Sequence, residues 1–115
     1  MQVNPASVSA GEIASVIHHL VKTAAEEYSI AVKDGAVVNA HEYQDALGFV
    51  RVARRWTDRL EDAGADAEAV GRIRHQLDEV KPAWPSLIPP KTVEVDPSLL
   101  HGAAARIEIA ALGLN

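Results

Sequence analysis

Two Glu-Tyr pairs, Glu27-Tyr28 and Glu42-Tyr43, stand on either side of an Asp34-Gly35 turn signal, with His41 and Asp45 beside the second pair. Carboxylate oxygens and imidazole nitrogens are the donors that suit iron, manganese and similar divalent ions. On helices, residues advance about 100° per position, and this phase puts Glu27 in line with Leu20 and Ala31, inside an apolar stripe. The same projection lays Glu42 over Ala46 and Phe49 on the buried side of the following helix, with Asp45 at its edge. In an antiparallel hairpin the two glutamates then lie near one end, about 5 Å apart along the axis at about 1.5 Å rise per residue. Carboxylates so close must share a proton or a cation. The candidate metal ligands are therefore Glu27, Glu42, Asp45 and His41, with Tyr28, Tyr43, Asp34 and Gly35 in support.

Each of these residues has a competing structural role. Glu42 falls three positions after Asn39, where it can close a capping box. Glu27 can accept a hydrogen bond from Tyr28 or Tyr43, or pair with Arg106. His41, on a first helical turn, has the position of an ordinary solvated surface histidine. His19 with Glu12 and Glu26 makes a polar ridge, and the arginines between 51 and 59 suit surface ion pairs. His18, His75 and His101 point away from their apolar stripes.

The elements that must position these residues are four helices. The first is capped by Ser9 with Glu12 and carries Ile13, Val16, Ile17, Leu20, Val21, Ala24, Tyr28, Ala31 and Val32 at helical spacing; it is expected to run to about Lys33. Asp34-Gly35 supplies the turn. Asn39 caps the second helix, with Val38 and Tyr43 as the two halves of a hydrophobic staple. Its stripe passes through Ala46, Phe49, Val50, Ala53, Trp56, Thr57 and Leu60 to Gly64. A third helix starts near Asp66 and breaks at Lys81-Pro82. Pro82, Pro85, Pro89 and Pro90 make residues 82–95 a proline-rich loop, in which Lys91 to Val95 can pair briefly as a strand. Asp96-Pro97 opens the fourth, alanine-rich helix. The expected fold is all-α: a single domain over residues 1–115, an up-down four-helix bundle with a loose lead-in over residues 1–8 and a proline-rich crossover before the last helix.

Composition narrows the function. With 115 residues, 48% hydrophobic and only 4% aromatic, the chain packs one core from Ala, Val, Leu and Ile. A formal charge of -5 argues against nucleic acid as a partner. The absence of cysteine excludes disulfides, zinc-thiolate sites and a C-x-x-C-H haem attachment motif. No apolar run is long enough to span a membrane, and Met1 to Ala10 lacks the charged and apolar regions of a signal peptide. There is no Glu-x-x-His of the di-iron bundles, no H-E-x-x-H, no P-loop and no G-x-S-x-G. The chain reads as non-catalytic.

The segment Glu27-Tyr28-x-x-Ala31-Val32-Lys33-Asp34-Gly35-x-Val37-Val38-Asn39-x-x-Glu42-Tyr43 resembles the helical extracytoplasmic domain associated with bacterial high-affinity iron permeases, over roughly residues 20–55. The resemblance implies an all-helical module linked to iron uptake, periplasmic and working with an iron-transport partner. A natural start at Met1 would instead imply the cytoplasm. The chain has none of the Arg-Glu-x-x-Glu motifs such permeases use, so the resemblance implies an accessory or binding role for iron or another divalent metal rather than transport. The rival reading is a structural or interaction protein that homodimerises through its helical faces, its Glu-Tyr pairs serving only as a hairpin lock.

Overall fold

Four side-chain caps set the helix starts. Ser9 Oγ accepts from the Glu12 amide at 3.1 Å, Asn39 Oδ1 from Glu42 at 3.0 Å, Asp66 Oδ2 from Ala69 at 3.1 Å, and Asp96 Oδ1 from Ser98 at 2.8 Å. Each satisfies an otherwise orphaned amide and contributes about 1 kcal/mol. The computed structural model describes residues 8–86 and 88–114. Within them lie α1 (Ala10–Ala31), β1 (Val32–Lys33), β2 (Ala36–Val37), α2 (Ala40–Asp62), α3 (Ala67–Glu79), a 3-10 turn (Lys81–Ala83) and α4 (Pro97–Ala111). The all-α bundle expected from the periodicity is the fold observed; the lead-in over residues 1–8, apart from Val8, lies outside the described residues.

Helix α1 stops two residues earlier than expected. Val32 leaves the helix in extended geometry and pairs antiparallel with Val37, and Lys33 pairs with Ala36. Asp34 and Gly35 both take positive φ, 51° and 78°. This is the primed turn whose twist matches a two-residue hairpin loop, and Asp-Gly is a preferred sequence for it. A Cβ on Gly35 would also meet the Val93 carbonyl at 3.4 Å, because the crossover runs directly against the turn. The Lys91–Val93 segment pairs as expected, but as a single bridge: the Val37 amide donates to Lys91 O at 2.9 Å and the Val93 amide to Gly35 O at 2.8 Å, around the pair Ala36 and Thr92.

At its other end α2 closes with Gly64 at φ 82°. The Gly64 amide donates to Glu61 O and the Ala65 amide to Leu60 O, the paired bonds of a Schellman cap.

Consecutive helices are antiparallel, and each packs on the next, with α4 closing the ring against α1. The large buried side chains include Ile17, Tyr28, Tyr43, Leu60, Ile73, Leu77, Leu100 and Ile107. Ala24, Ala46, Ala53 and Ala103 are also buried, and so let the backbones approach closely. Thr57, buried among them, satisfies its hydroxyl on Ala53 O at 2.8 Å. Several expected core assignments change, beginning with Val16, which is exposed at the edge of the α1 stripe. Val38 is 61% exposed, so it forms no staple with buried Tyr43, because the Val38 amide is drawn back to Ala31 O by the β-turn. Phe49 and Trp56 are half-buried at the rim of the core. Trp56 lies under the Arg59 guanidinium, 4.9 Å from the ring centroid. Among the described residues no helix is long and apolar enough to cross a membrane.

Candidate metal site

The first turn of α2 carries the one grouping of three ligand-type side chains found among the described residues: His41, Glu42 and Asp45. One donor atom from each falls within 4.8 Å of the others, and His41 Nε2 lies 3.4 Å from Asp45 Oδ2. Spacings of one, three and four residues bring these side chains to the same helical turn, which is why a short stretch of sequence can assemble them. Asp45 keeps 45% of its side chain exposed and His41 81%. Metal–oxygen and metal–nitrogen bonds near 2.1 Å separate two donors on one ion by at most about 4.2 Å. The three side chains must therefore draw closer to share one ion, a movement open to side chains on one solvated turn.

Glu42 is freer than its capping position suggests. A capping box would return its carboxylate to the Asn39 amide. That amide instead donates to Ala31 O at 3.3 Å, alongside the Val38 amide at 2.8 Å. The hairpin has satisfied the group that Glu42 would have served. Asn39 still caps the helix, but its side chain does so alone.

Glu27 stands outside this trio. Its Oε2 is buried and has no hydrogen-bond partner among the described residues. The partners weighed for it are engaged elsewhere. The Tyr28 hydroxyl donates to Val95 O at 2.7 Å, the Tyr43 hydroxyl to Ala83 O at 2.5 Å, and Arg106 Nη1 reaches Gln76 Oε1 at 3.5 Å. The opposite edge of α1 meets α4, through Ser29 Oγ with His101 Nε2 at 2.9 Å and His18 Nε2 with Glu108 at 3.2 Å. Glu27 projects away from that edge, toward the α2 side.

The tyrosines are latches on the crossover. Both are fully buried, their ring centroids 5.9 Å apart, and Trp84 packs against both at 5.7 and 6.2 Å. Trp84 Nε1 in turn donates to Tyr43 O at 3.0 Å. Burial pushes both phenols above their ordinary range, with the neighbouring Tyr43 and Asp96 adding to the effect at Tyr28. Neutral hydroxyls donating to backbone carbonyls hold a loop in place. Trp84 was missed in the sequence; an indole isolated among prolines is itself the signal of an anchored loop. Asp34 is exposed at the turn, where it and Gly35 shape the hairpin.

The model of the iron permease-associated 4-helix bundle domain matches residues 5–112. The chain belongs to this family. The match extends the local Glu-Tyr resemblance to nearly the whole chain, including the crossover and α4. No curated protein and no solved structure matches it significantly.

Proposed function

We propose that this iron permease-associated bundle is a non-catalytic accessory module of an iron-uptake system, one that holds a divalent iron ion as cargo through His41, Glu42 and Asp45. The observation that carries the reading is the release of the Glu42 carboxylate from its capping duty, because the Asn39 amide is satisfied by Ala31 O. A carboxylate left next to an imidazole and a second carboxylate on one turn makes a mixed oxygen and nitrogen donor set that accepts iron or manganese. Its exposed position suits a site that must take up and pass on an ion. Family membership supports an extracytoplasmic setting and an iron-transport protein as partner.

Anaerobic calorimetric titration with Fe(II), with Mn(II) and Zn(II) as comparators, tests the reading. We expect one ion per chain, with Glu42→Gln and His41→Ala each weakening binding by at least about tenfold. Tyr43→Phe should leave the affinity unchanged. Absence of binding, or binding indifferent to both ligand substitutions, would sink the proposal.

A further inference from the structure

A second concavity lies on the opposite flank of α2, in the groove between α2 and α3 that the 3-10 turn closes from one end. Its volume is about 470 Å³, within the range of sites that accept small organic molecules. Its walls are of two kinds. Leu47, Trp84 and Pro85 make an apolar side, and Arg51, Arg54 and Lys81 place three cations around it. In a chain of formal charge -5 this is a local reversal of sign.

The charges are unevenly satisfied. Asp78 is the one carboxylate shared by two of the cations, at 3.1 Å from Arg54 Nη1 and 3.3 Å from Lys81 Nζ. Arg54 Nη2 also donates to Leu77 O at 2.7 Å, which fixes that guanidinium against α3. Arg51 makes no ion pair among the described residues, and its planar fork of donors is free to engage a carboxylate in bidentate fashion. Among the described residues one carboxylate stands within ion-pair distance of the three cations, an excess of two positive charges. A bare inorganic anion would match the charge and waste the apolar wall. An apolar ligand would match the wall and leave the cations unanswered.

We propose that this groove binds an organic dianion with an apolar body, such as an aromatic or short aliphatic dicarboxylate. Arg51 supplies the bidentate contact, Arg54 and Lys81 the remaining positive field, and Trp84 with Leu47 the surface for the carbon skeleton. The reading is independent of the metal group, since His41, Glu42 and Asp45 do not line this groove.

Titration of the full chain with phthalate, followed by chemical-shift changes at the Trp84 indole N–H, tests the proposal. Benzoate and inorganic phosphate serve as comparison probes. Phthalate should bind, with benzoate and phosphate each weaker by about tenfold, and Arg51→Gln should cost about tenfold, part of which Arg51→Lys restores. Affinity should fall as salt rises. Arg51 is exposed, so its substitution should leave the unfolding temperature unchanged and separate loss of the site from loss of the fold. No phthalate binding at millimolar concentration, binding unaffected by Arg51→Gln, or phosphate binding as tightly as phthalate would each overturn it.

Discussion

The two Glu-Tyr pairs look alike in sequence and half alike in structure. Tyr28 and Tyr43 do the same work: each buries its ring and donates its hydroxyl to a carbonyl of the segment between α3 and α4. Glu27 and Glu42 do not. One presents a buried oxygen to no partner, and the other joins His41 and Asp45 at a helix start. Neighbouring residues on a helix point about 100° apart, so a repeated dipeptide fixes only the relation between its own two side chains. What each side chain meets depends on where along the bundle it falls. Tyr28 and Tyr43 face each other near the hairpin, whereas Glu27 lies a turn inside α1 and Glu42 lies at the solvated start of α2.

Substitutions that truncate the alike members should have the largest effects. Tyr43→Ala or Tyr28→Ala should each cost about 3–5 kcal/mol of unfolding free energy in denaturant titrations, because a large buried ring leaves a cavity. Tyr43→Phe should cost about 1–3 kcal/mol, the penalty of leaving the buried Ala83 carbonyl unpaired. Tyr28→Phe should cost less, since its acceptor Val95 O is only part-buried. If the two phenylalanine variants were neutral, the latches would be contacts without energetic weight.

The unlike members should separate in sign. Glu27→Leu removes a carboxylate oxygen that is buried without a partner, so it should raise stability by about 1 kcal/mol. Glu42→Gln should stay within about 0.5 kcal/mol of the parent, as a side chain without a structural hydrogen bond among the described residues. Equal effects at both positions would erase the distinction drawn between them.

The pH dependence offers the finest test. Burial raises the Tyr28 pKa above the ordinary 10.0, so the unfolded chain releases this proton first. The stability it contributes is intact below pH 10.0 and is lost progressively as pH rises toward the folded-state value. Alkaline unfolding should therefore be shallower in Tyr28→Phe than in the parent. At the acid end, hydrogen bonds from Arg54 and Lys81 hold the Asp78 carboxyl below its usual range. Its contribution is present above the ordinary aspartate value and disappears as pH falls through the lowered one, an effect Asp78→Asn should remove.

Local chemistry was legible in the residues, and long-range chemistry was not. The caps at Ser9, Asn39, Asp66 and Asp96 are decided within three positions of chain, and all form. The apolar periodicity placed Ile17, Val21, Ala24, Val50 and Leu60 in the core. The Val38 staple and the Glu42 capping return failed for one reason: both needed the second helix to start in isolation, whereas Ala31 O reaches across the turn and takes the Val38 and Asn39 amides. Glu27 is one acceptor the sequence offers the tyrosine hydroxyls, and neither hydroxyl uses it. Their actual acceptors are backbone carbonyls on a proline-rich segment, which no side-chain pattern reveals. Of the candidate ligands, His41, Glu42 and Asp45 share one turn and could be grouped from spacing; Glu27 required knowledge of tertiary packing.

The two tyrosine latches have a kinetic consequence. They join residues 67 and 40 positions apart, while the caps and the hairpin close within a few residues. Contacts that close such long loops pay their entropy late. The α1–α2 hairpin can consequently be native before the crossover docks, and the latches are expected to form after the rate-limiting barrier to folding. Weakening them should accelerate unfolding while the folding rate stays nearly constant, so that Tyr43 governs how long the native bundle lasts rather than how fast it is made.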